Sequence, residues 1–506
     1  MSGLRERLLR HKKQAGGESG ADVASTSTSA SAGAGAGIAA AEQGEAAADR
    51  EWAQIGARME QGEWGSFVMR RRVYDGSALH GRYALRELIG QSDQLCAMLA
   101  SAGARKPTAA GANDLPSSLP HDQLLYLDTE TTGLGIGAGN VPFMIGIGFY
   151  EQEQFIVEQM FIRHPGEELA MLHYLQVKLQ EHPYLVSYNG KTFDWPIIKN
   201  RYILNRIPSE PDIAGHLDFL YPSRSLWKHT LPSCRLGKVE EERLNVVRHN
   251  DVPGSLAPAL YFQYLAERDV SIVEGVFVHN ELDILSLAGL SIHFADVLNG
   301  KSQTADMGLE ELYRLGLWLD KLGQGWLAEQ ALELLAERLN ESQADEATDY
   351  LQLLAQVYKK QQRYSAACRL WTLYVERKRD RSTALIEPFI ELSMHYEHRE
   401  KRLEQALYYA ELALHKARQR QELKRSYGVS SLRLGGGRKA VTAIEAKQLE
   451  EIAALEKRIQ RLRHKSELAD HTLTSGRPNG TKRNALKTLA KKKTNRSEDY
   501  IMDHLI

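Results

Sequence analysis

The chain has 506 residues, a mass of 56.9 kDa and a formal net charge of −1 at pH 7. This length exceeds one ordinary domain, and the hydrophobic content of 43% excludes a wholly disordered chain. No apolar run reaches about 18 residues, which argues against a membrane-spanning helix. The three widely spaced cysteines exclude a disulfide framework and favour a cytoplasmic protein.

The N-terminal part of the chain is predicted to precede the main domain. Residues 1–50 are a leader, built from residue 15 onward almost entirely of Ala, Gly, Ser, Thr and Glu, which bury too little apolar surface to offset the entropy of ordering. Residues 51–105 contain aromatic and apolar residues and form an accessory segment of unknown role. Residues 106–120 are rich in Pro, Gly and Ser and are typical of a linker.

A domain of alternating strands and helices is predicted over residues 121–300. Short apolar or alternating runs predict strands at LLYLD, VPFMIGIGFY, FIVEQMFI and YLVSY. A helix is predicted over residues 167–180, another begins near Asp194, and two more cover residues 257–268 and 274–294. This alternation favours an α/β sheet that helices cover on both faces.

Residues 309–420 are helical and weakly repetitive. The small residues Ala331, Ala367 and Ala406 align between three segments at separations of 36 and 39 residues, near the roughly 34-residue period of tetratricopeptide (TPR) repeats. The pattern favours helical hairpins that stack as TPR-like repeats and offer a surface for a protein partner. A single irregular helical bundle is the alternative.

A basic segment follows over residues 421–506. Residues 415–496 contain 22 Lys and Arg against 7 Asp and Glu, although the whole chain is nearly neutral. Apolar residues from Ile444 to Leu462 follow one helical stripe, which predicts an amphipathic helix before a disordered basic end. The charge favours binding to nucleic acid or to an anionic partner, and a solvated tail is the alternative.

Two carboxylates lie at the end of the first strand of the α/β domain. Asp128 and Glu130 are two residues apart in LDTETTGL, so their side chains project from the same face of the strand. A cation relieves their repulsion, and hard divalent ions such as Mg²⁺ or Mn²⁺ prefer oxygen ligands. Asp-x-Glu is common by chance, but the polar turn at residues 131–133 adds a place where backbone approaches a ligand.

Two further motifs supply acidic residues and a histidine. Asp194 follows the loop in SYNGKTFDWPII, where it is either a functional carboxylate or a helix N-cap. His279 and Asp283 are four residues apart on a predicted helix and therefore share one face. A histidine beside a metal-binding carboxylate can take a proton from water, and an ordinary helix-face pair is the alternative.

The three motifs together resemble the DnaQ-like DEDD exonucleases, with DxE at a strand end, NG and FD around a loop, and HxxxD on a helix. LDTETTGLGIGAGNVPFMIGIG, HLDFLYPSRSLWKHTLPSCRLGKVEEERL and DVPGSLAPALYFQYL are similar to the YprB-like branch of ribonuclease-H-like proteins. The resemblance covers roughly residues 121–295. It implies a ribonuclease-H-like mixed sheet flanked by helices, which an all-α TPR-like domain follows.

The resemblance also implies the roles of individual residues. The implied metal ligands, for two Mg²⁺ or Mn²⁺ ions, are Asp128, Glu130, Asp194 and Asp283. The family's general base is a His five residues before the last Asp or a Tyr four residues before it. Here His279 stands at the Tyr spacing, which departs from both subtypes. The residues implied near the terminal nucleotide are Thr132, Asn189 and Leu134, the last as an apolar wedge against a base.

The implied function is a metal-dependent 3′-5′ exonuclease that hydrolyses phosphodiester bonds by a two-metal-ion mechanism. The nucleic acid is DNA or RNA, because the backbone chemistry is the same for both. The alternative is a catalytically weak or inactive nuclease-fold scaffold that binds proteins or nucleic acid through its repeats and basic tail. Retention of all four carboxylates favours the enzyme, because a decayed site would normally have lost a ligand.

Overall fold

The computed structural model describes residues 50–102, 118–133, 135, 139–208, 212–301, 304–427 and 438–474. They form two compact units that divide between Leu332 and Glu333. Residues 1–49 of the predicted leader, most of the linker and the basic end lie outside the described residues, as does Leu134. Within the described part of the chain, no helix is both long enough and apolar enough to cross a membrane.

A seven-stranded sheet forms the centre of the first unit. The strands of this unit are β1 (Ala57–Gly62), β2 (Gly65–Tyr74), β3 (Leu79–His80), β4 (Tyr83–Ala84), β5 (Leu124–Thr131), β6 (Pro142–Glu151), β7 (Gln154–Phe161), β8 (Tyr184–Ser187) and β9 (Gly215–Asp218). The order across the sheet is β1-β2-β7-β6-β5-β8-β9, while β3 and β4 pair separately. β5 is antiparallel to β6 and parallel to β8, so the mixed sheet predicted from the sequence is confirmed.

Helices accompany the sheet. They are α1 (Cys96–Ala102), α2 (Glu168–Glu181), α3 (Asp194–Leu204), α4 (Leu220–Trp227), α5 (Leu236–Val239), α6 (Ala257–Glu267), α7 (Ser271–Leu298), α8 (Leu309–Lys321) and α9 (Gly325–Glu341), inside which the first unit ends. A short π-helix (Glu240–Leu244) follows α5. The predicted helices at 167–180, 257–268 and 274–294 correspond to α2, α6 and α7.

The central strand β5 is buried on both faces. Leu124 and Tyr126 belong to one hydrophobic core, and Leu125 and Leu127 belong to another. Side chains alternate between the two faces of a strand, so the continuous apolar run in the sequence fills both cores. This burial fixes the end of β5, where the predicted carboxylates lie.

The accessory segment is part of the same sheet. β1 and β2 form an antiparallel hairpin, and β2 pairs antiparallel with β7. Phe67, Val68 and Met69 of β2 are buried in the core that contains Leu125 and Leu127. The hairpin is therefore continuous with the fold that holds the candidate site.

The described part of the second unit is helical. After the remainder of α9, its α-helices are α10 (Asp345–Lys360), α11 (Tyr364–Lys378), α12 (Glu387–His395), α13 (Leu403–Tyr427) and α14 (Arg438–Thr474). Consecutive helices from α10 to α14 pack on one another, and Ala367 and Ala406 are fully buried. Small residues allow close helix packing, which fits stacked hairpins. The TPR-like character of these helices remains a prediction.

The amphipathic helix predicted in the basic segment lies within α14. Ile459 and Leu462 pack against α13, while Leu449 is exposed. Glu397 is 3% exposed, and it accepts hydrogen bonds from Arg461 at 2.8 Å and Lys465 at 2.7 Å. Part of the positive charge of this segment therefore neutralises a buried carboxylate and is not free for a nucleic acid.

Candidate active site

Asp128 and Glu130 lie at the carboxyl end of β5. Their partners on β6 are Gly146 and Met144, respectively. The pairing becomes irregular between Glu130 and Thr131, which ends the regular strand. Glu130 is 7% exposed. Two carboxylates on one strand face are thus held side by side in a largely buried position, as the sequence predicts.

Asp194 joins this pair from the start of α3. Its carboxylate accepts a hydrogen bond from the Thr129 hydroxyl, which comes from the residue between Asp128 and Glu130. Phe193 occupies the N-cap position, and no side chain caps the helix. The helix-cap alternative for Asp194 is therefore wrong.

The third motif reaches the site from α7. Asn280 donates a hydrogen bond from Nδ2 to Asp128 Oδ2 at 2.9 Å. On the next turn, Asp283 Oδ2 lies 3.6 Å from His279 Nε2. The structure therefore brings Asp128, Glu130, Asp194, His279 and Asp283 together from three separate segments of the sequence.

Burial and mutual repulsion raise the pKa values of the carboxylates in this site. Burial raises the pKa of Asp128 well above its usual range, and the charges of Asp283 and Asp194 raise it further. Burial and then the charge of Asp128 raise the pKa of Glu130 to about 10. Burial raises the pKa of Asp194 to about 6, although the Thr129 hydrogen bond opposes the shift. The metal-free cluster therefore favours protonated, neutral carboxyl groups on Asp128 and Glu130 at neutral pH, because its protein neighbours compensate the negative charge of the ionised form only in part.

The donor set fits a hard divalent cation, which prefers carboxylate oxygens and relieves their repulsion. Among the described residues, however, no three His, Cys, Asp or Glu side chains form a cluster ready to hold a metal ion. Asp283 is instead bound by Arg248. For Asp283 to join a metal site, it has to exchange this arginine partner.

Arg248 is a site residue that the sequence analysis missed. It lies between the π-helix and α6 and donates from Nη2 to Asp283. It also binds Glu240, which is 1% exposed, through Nη2 at 2.8 Å, and Asp251 through Nη1 at 3.1 Å. Its loop has no periodic pattern, so neither Arg248 nor its contact with Asp283 could be placed from spacing.

Asp251, which the sequence analysis also missed, orients His279. The contact between His279 Nδ1 and Asp251 Oδ2 is 2.8 Å. Arg248 Nη1 lies 3.3 Å from the same nitrogen, but the shorter contact with a carboxylate makes Nδ1 the proton donor. Nε2 is then the nitrogen that can accept a proton. A Cβ at Gly254 would lie 3.0 Å from Nε2, so glycine keeps the approach to this nitrogen open.

Comparison with known proteins agrees with this geometry. Residues 125–295 match a family model (RNase_H_2) of the RNase_H superfamily. A Bacillus subtilis (strain 168) protein, described as "Uncharacterized protein YprB", is 34% identical over 369 residues, which are 72% of this chain and 84% of the relative. The chain belongs to the YprB family. The RNase_H superfamily region contains every candidate site residue and indicates a nuclease-type hydrolase that acts on nucleic acid.

In this YprB-family protein, the predicted substrate residues Thr132 and Asn189 lie in loops beside the carboxylates. The Thr132 hydroxyl accepts a hydrogen bond from the Val141 amide at 3.0 Å. Asn189 has a positive φ of 69°, and its backbone N–H donates to Asp218 Oδ1 at 2.8 Å. Both residues thus help to shape their loops. Their contact with a nucleotide stays a prediction.

Asp218 organises the loop that precedes Asp194. Its buried carboxylate accepts hydrogen bonds from the backbone amides of Asn189, Lys191 and Leu220 at 2.8–3.1 Å. A Cβ at Gly190 would lie 2.3 Å from Ser187 Oγ. The NG pair in the motif therefore reflects a left-handed residue followed by a position with no space for a side chain.

Proposed function

We propose that the protein is a DEDD-type 3′-5′ exonuclease that hydrolyses phosphodiester bonds of DNA or RNA with two Mg²⁺ or Mn²⁺ ions. The implied ligands are Asp128, Glu130, Asp194 and Asp283. The observation that carries the proposal is that these four carboxylates, from three segments of the sequence, lie close enough to affect one another. Burial and the charges of the other three raise the pKa of Glu130 to about 10. Such a cluster is costly to the fold, and binding divalent cations is a function that offsets this cost.

Bound ions would activate the attacking water and stabilise the leaving oxygen. The protein's residues supply the positioning: Thr129 orients Asp194, and Asn280 orients Asp128. His279 takes the proton of the water at Nε2, and Asp251 stabilises the resulting imidazolium through Nδ1. The departure from the usual spacing of the base is thus accompanied by an Asp–His pair.

The proposal is tested by incubating purified protein with end-labelled single-stranded and duplex DNA and RNA in the presence of Mn²⁺. We expect stepwise release of nucleotides from the 3′ end. D128N/E130Q should abolish it, because amides keep the shape but lose the charge that holds the ions. D122N/E153Q, which alters two exposed carboxylates outside the site, is the matched control. Full activity of D128N/E130Q would contradict the site assignment.

A catalytically weak scaffold is the second candidate. The observation in its favour is the ion pair between Arg248 and Asp283, in a conformation where no three of the described acidic, His or Cys side chains form a metal site. Absence of hydrolysis on all four substrates, with nucleic-acid binding retained, would favour the scaffold. In either case we propose a cytoplasmic protein with a nuclease domain over residues 121–300, and with TPR-like repeats over residues 309–420 that bind a protein partner.

A further inference from the structure

One row of residues crosses four strands of the sheet and ends at the candidate metal site. Arg70 of β2 pairs with Gln159 of β7, Gln159 pairs with Gly146 of β6, and Gly146 pairs with Asp128 of β5. Residues paired in adjacent strands have their side chains on the same face. The accessory hairpin is thereby aligned with the first carboxylate of the site.

Asn280 of α7 fills the place left by the glycine in this row. A Cβ at Gly146 would lie 2.0 Å from Asn280 Oδ1, so only glycine admits the asparagine here. Asn280 and Gln159 are both 0% exposed. The side chain of Asn280 therefore bridges the gap between Gln159 and Asp128 without access to water.

The hydrogen bonds along the row are continuous. Arg70 Nη1 donates to Gln159 Oε1 at 3.1 Å, and Gln159 Nε2 donates to Asn280 Oδ1 at 2.9 Å. Asn280 Nδ2 then donates to Asp128 Oδ2 at 2.9 Å. The other Gln159 N–H is used by the Phe277 carbonyl, at 2.6 Å.

The direction of these bonds is fixed by chemistry. Arginine has only donors, so Gln159 must turn its oxygen toward Arg70 and its nitrogen toward Asn280. Asn280 must then accept from Gln159 with its oxygen, which turns its nitrogen toward Asp128. Glu281 forms an ion pair with Arg70 at 2.9 Å and keeps the largely buried guanidinium in place. The guanidinium of Arg70 at one end of the row thus determines that the Asn280 side-chain nitrogen faces the Asp128 carboxylate at the other end.

We propose that Arg70 and Gln159 are positioning residues that act through Asn280 to hold the Asp128 carboxylate ready for a divalent cation. This assigns the hairpin β1–β2 a role in metal binding and rests on the proposed function. Outer hydrogen-bond partners of metal ligands commonly change metal affinity by about 10–100-fold when removed.

The test measures Mn²⁺ affinity by isothermal titration calorimetry on the full chain, with folding checked by circular dichroism. R70M and Q159M should weaken binding by about 10-fold or more, because each removes one link. R70K, which keeps a donor for Gln159, should recover most of the affinity. R71M is the matched control, since Arg71 binds Glu158 at 2.6 Å between the same two strands but outside the row. R71M should leave the affinity unchanged.

A second measurement needs no metal. In EDTA, the shift in melting temperature caused by Q159M should differ by about 2 °C or more between the wild-type and D128N backgrounds, because the row ends on the carboxylate. The R71M shift should be the same in both. Equal Q159M shifts, or wild-type Mn²⁺ affinity in folded R70M and Q159M, would overturn the positioning role. Absence of Mn²⁺ binding by the wild-type protein would instead contradict the proposed function.

Discussion

The cost of the buried carboxylates gives a stability prediction for Glu130. Its pKa is 4.5 in an exposed chain and about 10 in the folded, metal-free protein. The folded state therefore holds a proton between these values that the unfolded state has lost. The contribution of Glu130 to the free energy of unfolding is therefore complete below pH 4.5. It falls by about 1.4 kcal/mol per pH unit as pH rises toward 10. At pH 7 the accumulated loss is about 3 kcal/mol as an upper bound.

Replacing Glu130 with Gln removes this titration and keeps the shape of the side chain. We expect E130Q in EDTA to be more stable than the wild type by about 1–3 kcal/mol at pH 7. The range lies below the upper bound because local hydration of the site lowers the cost of ionising Glu130. Each kcal/mol corresponds to about 2–4 °C in the melting temperature of a domain of this size. The difference should shrink as pH falls from 7 to 5.

Thermal denaturation in EDTA at several pH values, with E153Q as the exposed control, measures this effect. Adding Mn²⁺ should reverse the order, because the wild type gains stability from binding and E130Q gains less. The reasoning is refuted if E130Q is less stable than the wild type in EDTA at pH 7, or if its advantage does not depend on pH.

Three further predictions concern the base, the arginine and the basic segment. H279A should lower the hydrolysis rate by about 10²–10⁴-fold with unchanged Mn²⁺ affinity, as single-turnover kinetics and calorimetry would show; loss of metal binding would make His279 a ligand instead of a base. R248Q should increase Mn²⁺ affinity while lowering the melting temperature in EDTA, because it frees Asp283 but removes the ion-pair partner of the buried Glu240. Weaker Mn²⁺ binding would mean that Arg248 positions Asp283. Deleting residues 418–506 should weaken nucleic-acid binding and flatten its salt dependence while turnover at saturation persists. Deleting residues 475–506 alone, which leaves α14 in place, should give a smaller flattening, because it removes fewer Lys and Arg residues. A salt slope that is unchanged in both truncations would assign the basic segment to another partner.

Much of the first unit follows from local sequence patterns. The apolar run LLYLD predicts β5, and the helical periodicity around His279 predicts α7, because each pattern reports the burial of its own segment. The spacing of Asp128 and Glu130 predicts their common face for the same reason. The proposed ligands are therefore visible in the sequence, although Asp194 alone is ambiguous with a helix cap.

The supporting residues of the site were decided only by the tertiary structure. Gln159 lies in a strand in which a polar residue normally indicates a solvent-exposed face, yet it is fully buried because Arg70 and Asn280 satisfy its amide. These contacts join residues 89 and 121 positions apart, and Arg248 reaches Asp283 across 35. Hydrogen-bond partners at such separations depend on strand register and loop path, which periodicity within one segment does not encode.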